Sequence, residues 1–357
     1  MRCAAYREHW PASAQMVRPT QNERASSALR ECYLRSRPRT ERRKGTTFVI
    51  SERLNKPEYW FRPSQVLHKL LFELGRYSSK FSGRVRLPWG IEISVNPHET
   101  IGKSLLTHGV YELAVSEFLW RLTDPGDHCL DIGANIGYET SLLAAKAGLS
   151  GKVSSFEPHP QVFERLTENV QSWTRGARAG SISPVSSMRL AIGANEGEMD
   201  LVEPDGFYQN QGSASLAYVA HQSTAKGVKH RVKVQCLDAL FRDAPQIGIM
   251  KIDVEGAEQA VFDGALGLLG GRKIRDILFE NFQPFPSECV SLLRRHGYAI
   301  FRVGKAIRGP IVWDPSDPHG AYVSVPWEPV NYLATINPDR AKARLRPRGW
   351  LCLRAKG

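Results

Sequence analysis

Carboxylates and glycines set the chemistry open to this chain, above all Asp131, Gly133, Gly137, Glu157, Asp253 and Glu255. Cys129-Leu130-Asp131-Ile132-Gly133-Ala134-Asn135-Ile136-Gly137 reads as a short buried strand that stops at Gly133, turns, and enters a helix near Tyr138. Gly133 and Gly137 have no Cβ, so the backbone can turn tightly and a ligand can approach it closely. Asn135, between them, is of a type that tolerates left-handed backbone angles. Asp131 sits at the carboxyl end of the strand, where open α/β sheets bind their ligands.

A dinucleotide would ask for Gly-x-Gly-x-x-Gly and a helix N-terminus left free for pyrophosphate. Here Asn135 replaces the middle glycine, and Asp131 and Glu139 flank the turn. Those charges repel phosphates and suit a ligand carrying an ammonium and a sulfonium. Further on, Val153-Ser154-Ser155-Phe156-Glu157-Pro158 reads as a second strand ending in an acid. A carboxylate there can accept two hydrogen bonds from a ribose diol. Together Asp131, Gly133, Ala134, Asn135, Gly137 and Glu157 favour S-adenosylmethionine over NAD as the ligand.

Transfer from a sulfonium to an alcohol needs the acceptor oxygen held in line and relieved of its proton by a base or a metal. Asp253 ends a fourth strand, placed beside Asp131 in a sheet ordered 3-2-1-4-5, and is the base expected here, with Glu255 beside it. Asp253 as a cofactor ligand is the competing assignment, and both acids could instead simply start the next helix, where acids suit the dipole. The carboxylates of Asp253, Glu255 and Glu280 could also gather magnesium, although a metal-free site is the expectation. Lys251, on the same strand, needs a partner if buried. His108, His159 and His221 are other possible bases, but a lone histidine is usually structural. Glu280 and Asn281 either line an acceptor pocket or cap the next turn. Asp205–Ser213, rich in aromatic and amide groups, is either an acceptor-facing segment or a surface loop beside a strand pair at Met199–Glu203 and Arg231–Gln235.

The elements that must position these residues alternate from residue 128 onward, which implies a parallel sheet covered on both faces. Strands are expected at 128–132, 152–156, 188–192, 247–253 and 274–280. Helices are expected at about 138–146, over the Val162, Phe163, Leu166, Val170 stripe, at about 257–269 and at 287–295. Tyr298–Val303 and Tyr332–Ile336 would be the last two strands, joined by a long Pro-rich loop. Upstream, Val66, Leu67, Leu70, Leu71 and Leu74 recur at helical spacing. Arg84–Leu87 and Ile91–Val95 read as a hairpin, followed by a helix at about 112–122.

The 357 residues are 42% hydrophobic and carry a net charge of +12. Residues 1–45 hold 11 Lys/Arg against 4 Asp/Glu, and residues 337–357 hold 7 against 1, so the middle is close to neutral. Such tails either touch nucleic acid or an anionic membrane or are merely solvated, and the second reading is preferred. The six cysteines show no Cys-x-x-Cys and no nearby His spacing, which argues against a zinc site or a disulfide framework and suits a reducing, cytoplasmic setting. No apolar run is long enough to span a membrane. The Arg-rich start leaves a transit peptide open, though a misassigned start is the preferred account.

Asp131-Ile132-Gly133-Ala134-Asn135-Ile136-Gly137, Phe156-Glu157-Pro158-His159-Pro160, Leu237-Asp238 and Lys251-Ile252-Asp253-Val254-Glu255-Gly256-Ala257-Glu258 together resemble FkbM-type methyltransferases, over about residues 100–338. The last block is the more specific signal. The resemblance implies a class I (Rossmann-like) methyltransferase fold, with seven strands in a mostly parallel sheet, helices on both faces, and an antiparallel final strand. It implies S-adenosylmethionine as donor and a hydroxyl on a sugar, glycan or natural product as acceptor. Glu139 departs from the apolar or small residue usual there. The expected organisation is a basic, disordered segment at 1–56, a helix and hairpin at 57–127, a methyltransferase domain at 128–338 and a basic tail at 339–357. The alternatives are a nucleic-acid-binding protein that uses the tails on this scaffold, and a relative that binds the cofactor without catalysis.

Overall fold

The computed structural model describes residues 57–73, 83–175, 180–204, 206–216, 227–283, 285–317 and 330–355. The expected disorder of 1–56 lies outside them. Helices α1 (Pro57–Phe61) and α2 (Ser64–Glu73) come first. Val66, Leu67 and Leu70 of α2 share one stripe, but each is more than half exposed. The hairpin follows as β1 (Arg84–Arg86) and β2 (Glu92–Ser94), antiparallel, with Trp89 and Ile93 buried. Helix α3 (Thr100–His108) is capped by the Glu99 carboxylate, which accepts from the Ile101 and Gly102 amides. Helix α4 (Leu113–Leu122) leads into the sheet.

The main sheet is built from β3 (His128–Ile132), β4 (Lys152–Phe156), β5 (Val185–Met188), β10 (Ile247–Ile252), β11 (Ile274–Asn281), β12 (Ala299–Ala306), β13 (Gly309–Trp313) and β14 (Val330–Thr335). Their order is β13-β12-β14-β11-β10-β3-β4-β5. The five strands from β11 to β5 run parallel, and β14 runs antiparallel between β11 and β12. Every residue of β3 and of β10 is buried, as expected of strands covered on both faces. Helices α5 (Tyr138–Ala147) and α6 (Pro160–Arg175) connect the first three parallel strands, and α10 (Glu288–Arg295) precedes β12. Among the described residues no helix is long and apolar enough to cross a membrane.

Four expectations need correction. The sheet has eight strands rather than seven, because β13 adds an edge within the stretch read as a loop. The third parallel strand is Val185–Met188, not 188–192; Ala191–Ile192 is β6 and belongs to another sheet. That second sheet, ordered β6-β9-β7-β8, adds β7 (Gly197–Val202), β8 (Ser215–Leu216) and β9 (Lys229–Gln235), and it includes the strand pair read as an alternative. The helix at 257–269 is two short ones, α8 (Glu258–Asp263) and α9 (Leu266–Gly270), which follow the short α7 (Leu237–Phe241). They break at Gly264, where an added Cβ would meet the Gly193 carbonyl at 2.1 Å.

The fourth correction concerns 339–357, which is no solvated tail. Helix α11 (Pro338–Leu345) packs on the domain, and Trp350 and Cys352 are fully buried. Arg121 of α4 donates to the carbonyls of Arg344, Leu345, Pro347 and Gly349, and Glu117 accepts from the Leu351 and Cys352 amides. Arg340 bonds Asp276 and Asp124, and Arg344 bonds Asp124. Of the segment's positive charges, Arg340 and Arg344 pair with acids of the domain, while Lys342, Arg346, Arg348 and Arg354 stay exposed.

Candidate active site

The turn after β3 adopts the backbone its residue types foretell: φ is +78° at Gly133, +48° at Asn135 and +92° at Gly137. A Cβ on Gly133 would lie 1.8 Å from the carbonyl oxygen of Asp253, so only glycine lets the ends of β3 and β10 meet. The Gly133 and Ala134 amides both donate to the Phe156 carbonyl, at 3.0 and 2.9 Å, which ties the turn to the end of β4. Gly137 is pressed by Leu166 and Trp173 of α6, at 2.7 and 3.0 Å from its ideal Cβ.

Glu157, one residue past β4, is buried and accepts from the Asn135 amide at 2.9 Å and the His159 amide at 2.8 Å. Burial pushes its carboxyl up to about 7, and those two amides work against the rise. With Gly133 and Asn135 it lines a small cavity of about 60 Å³, walled by Phe156, Leu190, Ile192, Leu201 and Val254. An apolar slot ending in an acid held by two amides, with a bare glycine turn beneath, fits a nucleoside.

A larger cleft of about 260 Å³ adjoins it. Asn135, Gly212, Asp253 and Glu255 line both spaces. Tyr111, Glu112, Glu139, Lys251, Glu280 and Phe282 complete most of the cleft. Its one ammonium, Lys251, is nearly buried and donates to Asp253 Oδ2 and the Gly133 carbonyl, both at 3.3 Å. It also stands 3.8 Å from Asp131 Oδ1. Burial would lower the Lys251 pKa, but Asp253, Glu139, Asp131 and Glu112 together raise it above its ordinary value. Asp131 is fully buried behind the cleft and accepts from Thr140 Oγ1 at 2.5 Å, and burial raises its pKa.

Burial, reinforced by neighbouring carboxylates, raises the lining acids from 4.5 to about 7 at Glu112 and Glu255, about 8 at Glu139 and about 9 at Glu280. Lys251 opposes all four shifts. Each acid binds its proton more tightly in the fold than in the open chain, so the stability these four contribute is full below about pH 4.5 and is lost as pH rises through about 7 to 9. Calorimetry should find the melting temperature falling by roughly 5 °C from pH 6 to pH 9, and Glu280→Gln should flatten the upper part of that drift. A flat or rising profile would contradict these proton affinities.

Of the residues singled out from sequence, Gly133, Asn135, Glu157, Asp253 and Glu255 line the two spaces. Asp131, Ala134 and Gly137 lie behind them and shape the turn. Glu139, the departure from the family pattern, faces the cleft, and so does Glu280. Asn281 is buried and its Oδ1 caps the next turn through the Gln283 amide. Neither His108 nor His159 lines the cleft, and His221 lies outside the described residues. Asn210, Gln211 and Gly212 of the amide-rich segment do reach the two spaces. Glu112 and Tyr111 escaped the sequence reading: Glu112 precedes α4 at φ +39° and carries no motif that marks it.

Residues 131–300 match the family described as Methyltransferase FkbM domain. This stretch is an FkbM methyltransferase domain. The chain is 28% identical over 160 residues to hexuronic acid methyltransferase AglP of Haloferax volcanii, covering 44% of this chain and 58% of that protein, so it spans little more than half of the relative. Among solved structures it is similar to an FkbM methyltransferase of Methylobacillus flagellatus (14% identity, TM-score 0.37, 70% of this chain and 56% of that one). It is also similar to Aeropyrum pernix fibrillarin with natively bound S-adenosyl-L-methionine (16% identity, TM-score 0.31, 67% and 76% of the two chains). The main sheet here has the mostly parallel α/β architecture expected of a class I methyltransferase.

Proposed function

We propose that the FkbM domain methylates a hydroxyl of an uncharged sugar, glycan or natural product, with Asp253 as the base. The observation that carries this reading is the junction of the two spaces. A nucleoside slot ending at Glu157 opens, past Asn135, Gly212 and Glu255, onto a cleft where Asp253 stands beside Lys251. The similarity to hexuronic acid methyltransferase AglP supports a sugar acceptor in general. Among the described residues, however, the cleft offers a hexuronate carboxylate no free cation, since Lys251 is already engaged by Asp253, which favours a neutral acceptor.

S-adenosylmethionine, when bound, supplies a methyl group on a positively charged sulfur. Glu157 accepts from the ribose hydroxyls with the lone pairs its two amide bonds leave free. Asp131 and Glu139 favour the donor's cationic end. Lys251 fixes Asp253 from one side, which leaves its other oxygen to accept the acceptor's hydroxyl proton. Glu255 is a second proton acceptor at the same junction. The free cysteines 129, 236, 289 and 352 suit a reducing cytoplasm.

Glu157→Ala removes charge-assisted hydrogen bonds of about 1.5–3 kcal/mol, so S-adenosylmethionine should bind roughly 10- to 100-fold more weakly. Titration calorimetry checks this, and an unchanged affinity would move the ribose elsewhere. Incubating the wild type with labelled donor and neutral sugars should yield methylated product by mass spectrometry. Binding without any methylated product would favour the non-catalytic alternative.

A further inference from the structure

We propose that His159, Glu203 and His230 form a binding site for a divalent transition-metal ion, zinc being the natural match to two imidazoles and a carboxylate. His159 lies in the turn between β4 and α6, Glu203 follows β7, and His230 is in β9. The Nε2 atoms of His159 and His230 converge on Glu203 Oε1 at 2.9 and 2.5 Å. All three ligand atoms lie within 4.8 Å of one another, and among the described residues this is the one group that gathers three such atoms. A set of three protein ligands with a further position for water is a common zinc arrangement. The side chains are 1%, 7% and 20% exposed, so the site is dry on the His159 side and reachable past His230. The Phe207 ring covers His159 at 4.6 Å between centroids.

None of the three residues lines the cofactor slot or the acidic cleft. Their separation along the chain hides them from any spacing rule, and the sequence reading expected no metal. Without an ion, each Nε2–H donates to the same oxygen, and His159 Nδ1 accepts from the Val162 amide at 3.4 Å. Metal uptake moves the His159 proton to Nδ1 and gives up that long bond. The place of the site says what the ion does. The His159 amide holds Glu157, while Leu201, two residues before Glu203, walls the nucleoside slot. An ion here would lock the acid-bearing turn after β4 to the second sheet.

Untagged protein freed of metal by chelator and titrated with zinc chloride should bind one ion per chain in calorimetry. At a hundred-fold excess over Kd it should melt roughly 5 °C higher. The Val162 amide resonance should shift on loading. His230→Ala should weaken zinc binding by about 100-fold or more. Glu203→Gln keeps an oxygen to accept the hydrogen bonds but is a poor ligand, so it should lose the ion while retaining the metal-free melting temperature. Wild type that takes up no zinc overturns the proposal. So does either variant binding zinc as wild type does, and should His230→Ala not fold, Glu203→Gln decides.

Discussion

Asp253→Asn should keep S-adenosylmethionine affinity within a few-fold and cut turnover by about 10²–10⁴. The amide is isosteric and still accepts from Lys251 Nζ, so the cleft keeps its shape; what vanishes is the group that takes the hydroxyl proton. The affinity should survive because Asp253 shares the rim of the nucleoside slot with backbone and apolar side chains that the change leaves alone. Single-turnover kinetics beside calorimetry separates the two effects. If binding collapses while turnover at saturation persists, Asp253 is a cofactor ligand, and Glu255, with a carboxyl titrating near 7 at the same junction, becomes the base. At saturating donor a chelator should leave the turnover of wild type unchanged, since no trio of cleft carboxylates among the described residues gathers its oxygens as a metal would require, and the His159, Glu203 and His230 group bears on donor binding rather than on the chemical step.

Lys251→Met should cost stability on the scale of a broken buried ion pair, about 3–5 kcal/mol, or a fall in melting temperature of roughly 6–15 °C at pH 7. Methionine fills a similar volume, so the loss comes from charge. Asp131 Oδ1 has no hydrogen-bond partner and stands 3.8 Å from the Lys251 ammonium, while Glu112, Glu139 and Asp253 rely on the same cation. The sign of the pH effect follows. With the cation gone the acids hold protons more tightly still, so the deficit should shrink near pH 5 and widen toward pH 9. Thermal melts of both proteins across that range check it; a deficit independent of pH would mean that packing, not charge, explains the loss.

The parallel half of the sheet was legible because its strands are continuous apolar runs closed by acids and glycines, as at Cys129–Gly133 and Ile247–Asp253. The residues that line the small cavity beyond β4 stood out for the same reason: Gly133, Asn135 and Glu157 are local signals. What failed depends on partners far away in the chain. Met188–Ile192 looks like one apolar strand, yet the run straddles the end of β5 and the start of another sheet, while Val185-Ser186-Ser187 forms the true strand with little apolar signal. The segment after residue 338 looked solvated because it is basic. Its burial rests on Glu117 and Arg121, more than 200 residues upstream, and on a short turn around Cys352 that has no periodicity. Glu112, Glu139 and Glu280 became one electrostatic unit with Lys251 only when four separate elements met.

Strand β14 lies between β11 and β12, although both are earlier in the chain. The sheet therefore cannot be zipped up in the order in which it is synthesised. Until residues 330–335 emerge from the ribosome, β11 presents a row of unpaired amides and carbonyls where β14 will sit, and β12 has only β13 beside it. A nascent chain at that stage has a slot one strand wide through its core, open to any extended peptide that reaches it first. Closing the slot needs a strand placed nearly 200 residues after β3, which makes completion of this sheet a late, long-range event in folding.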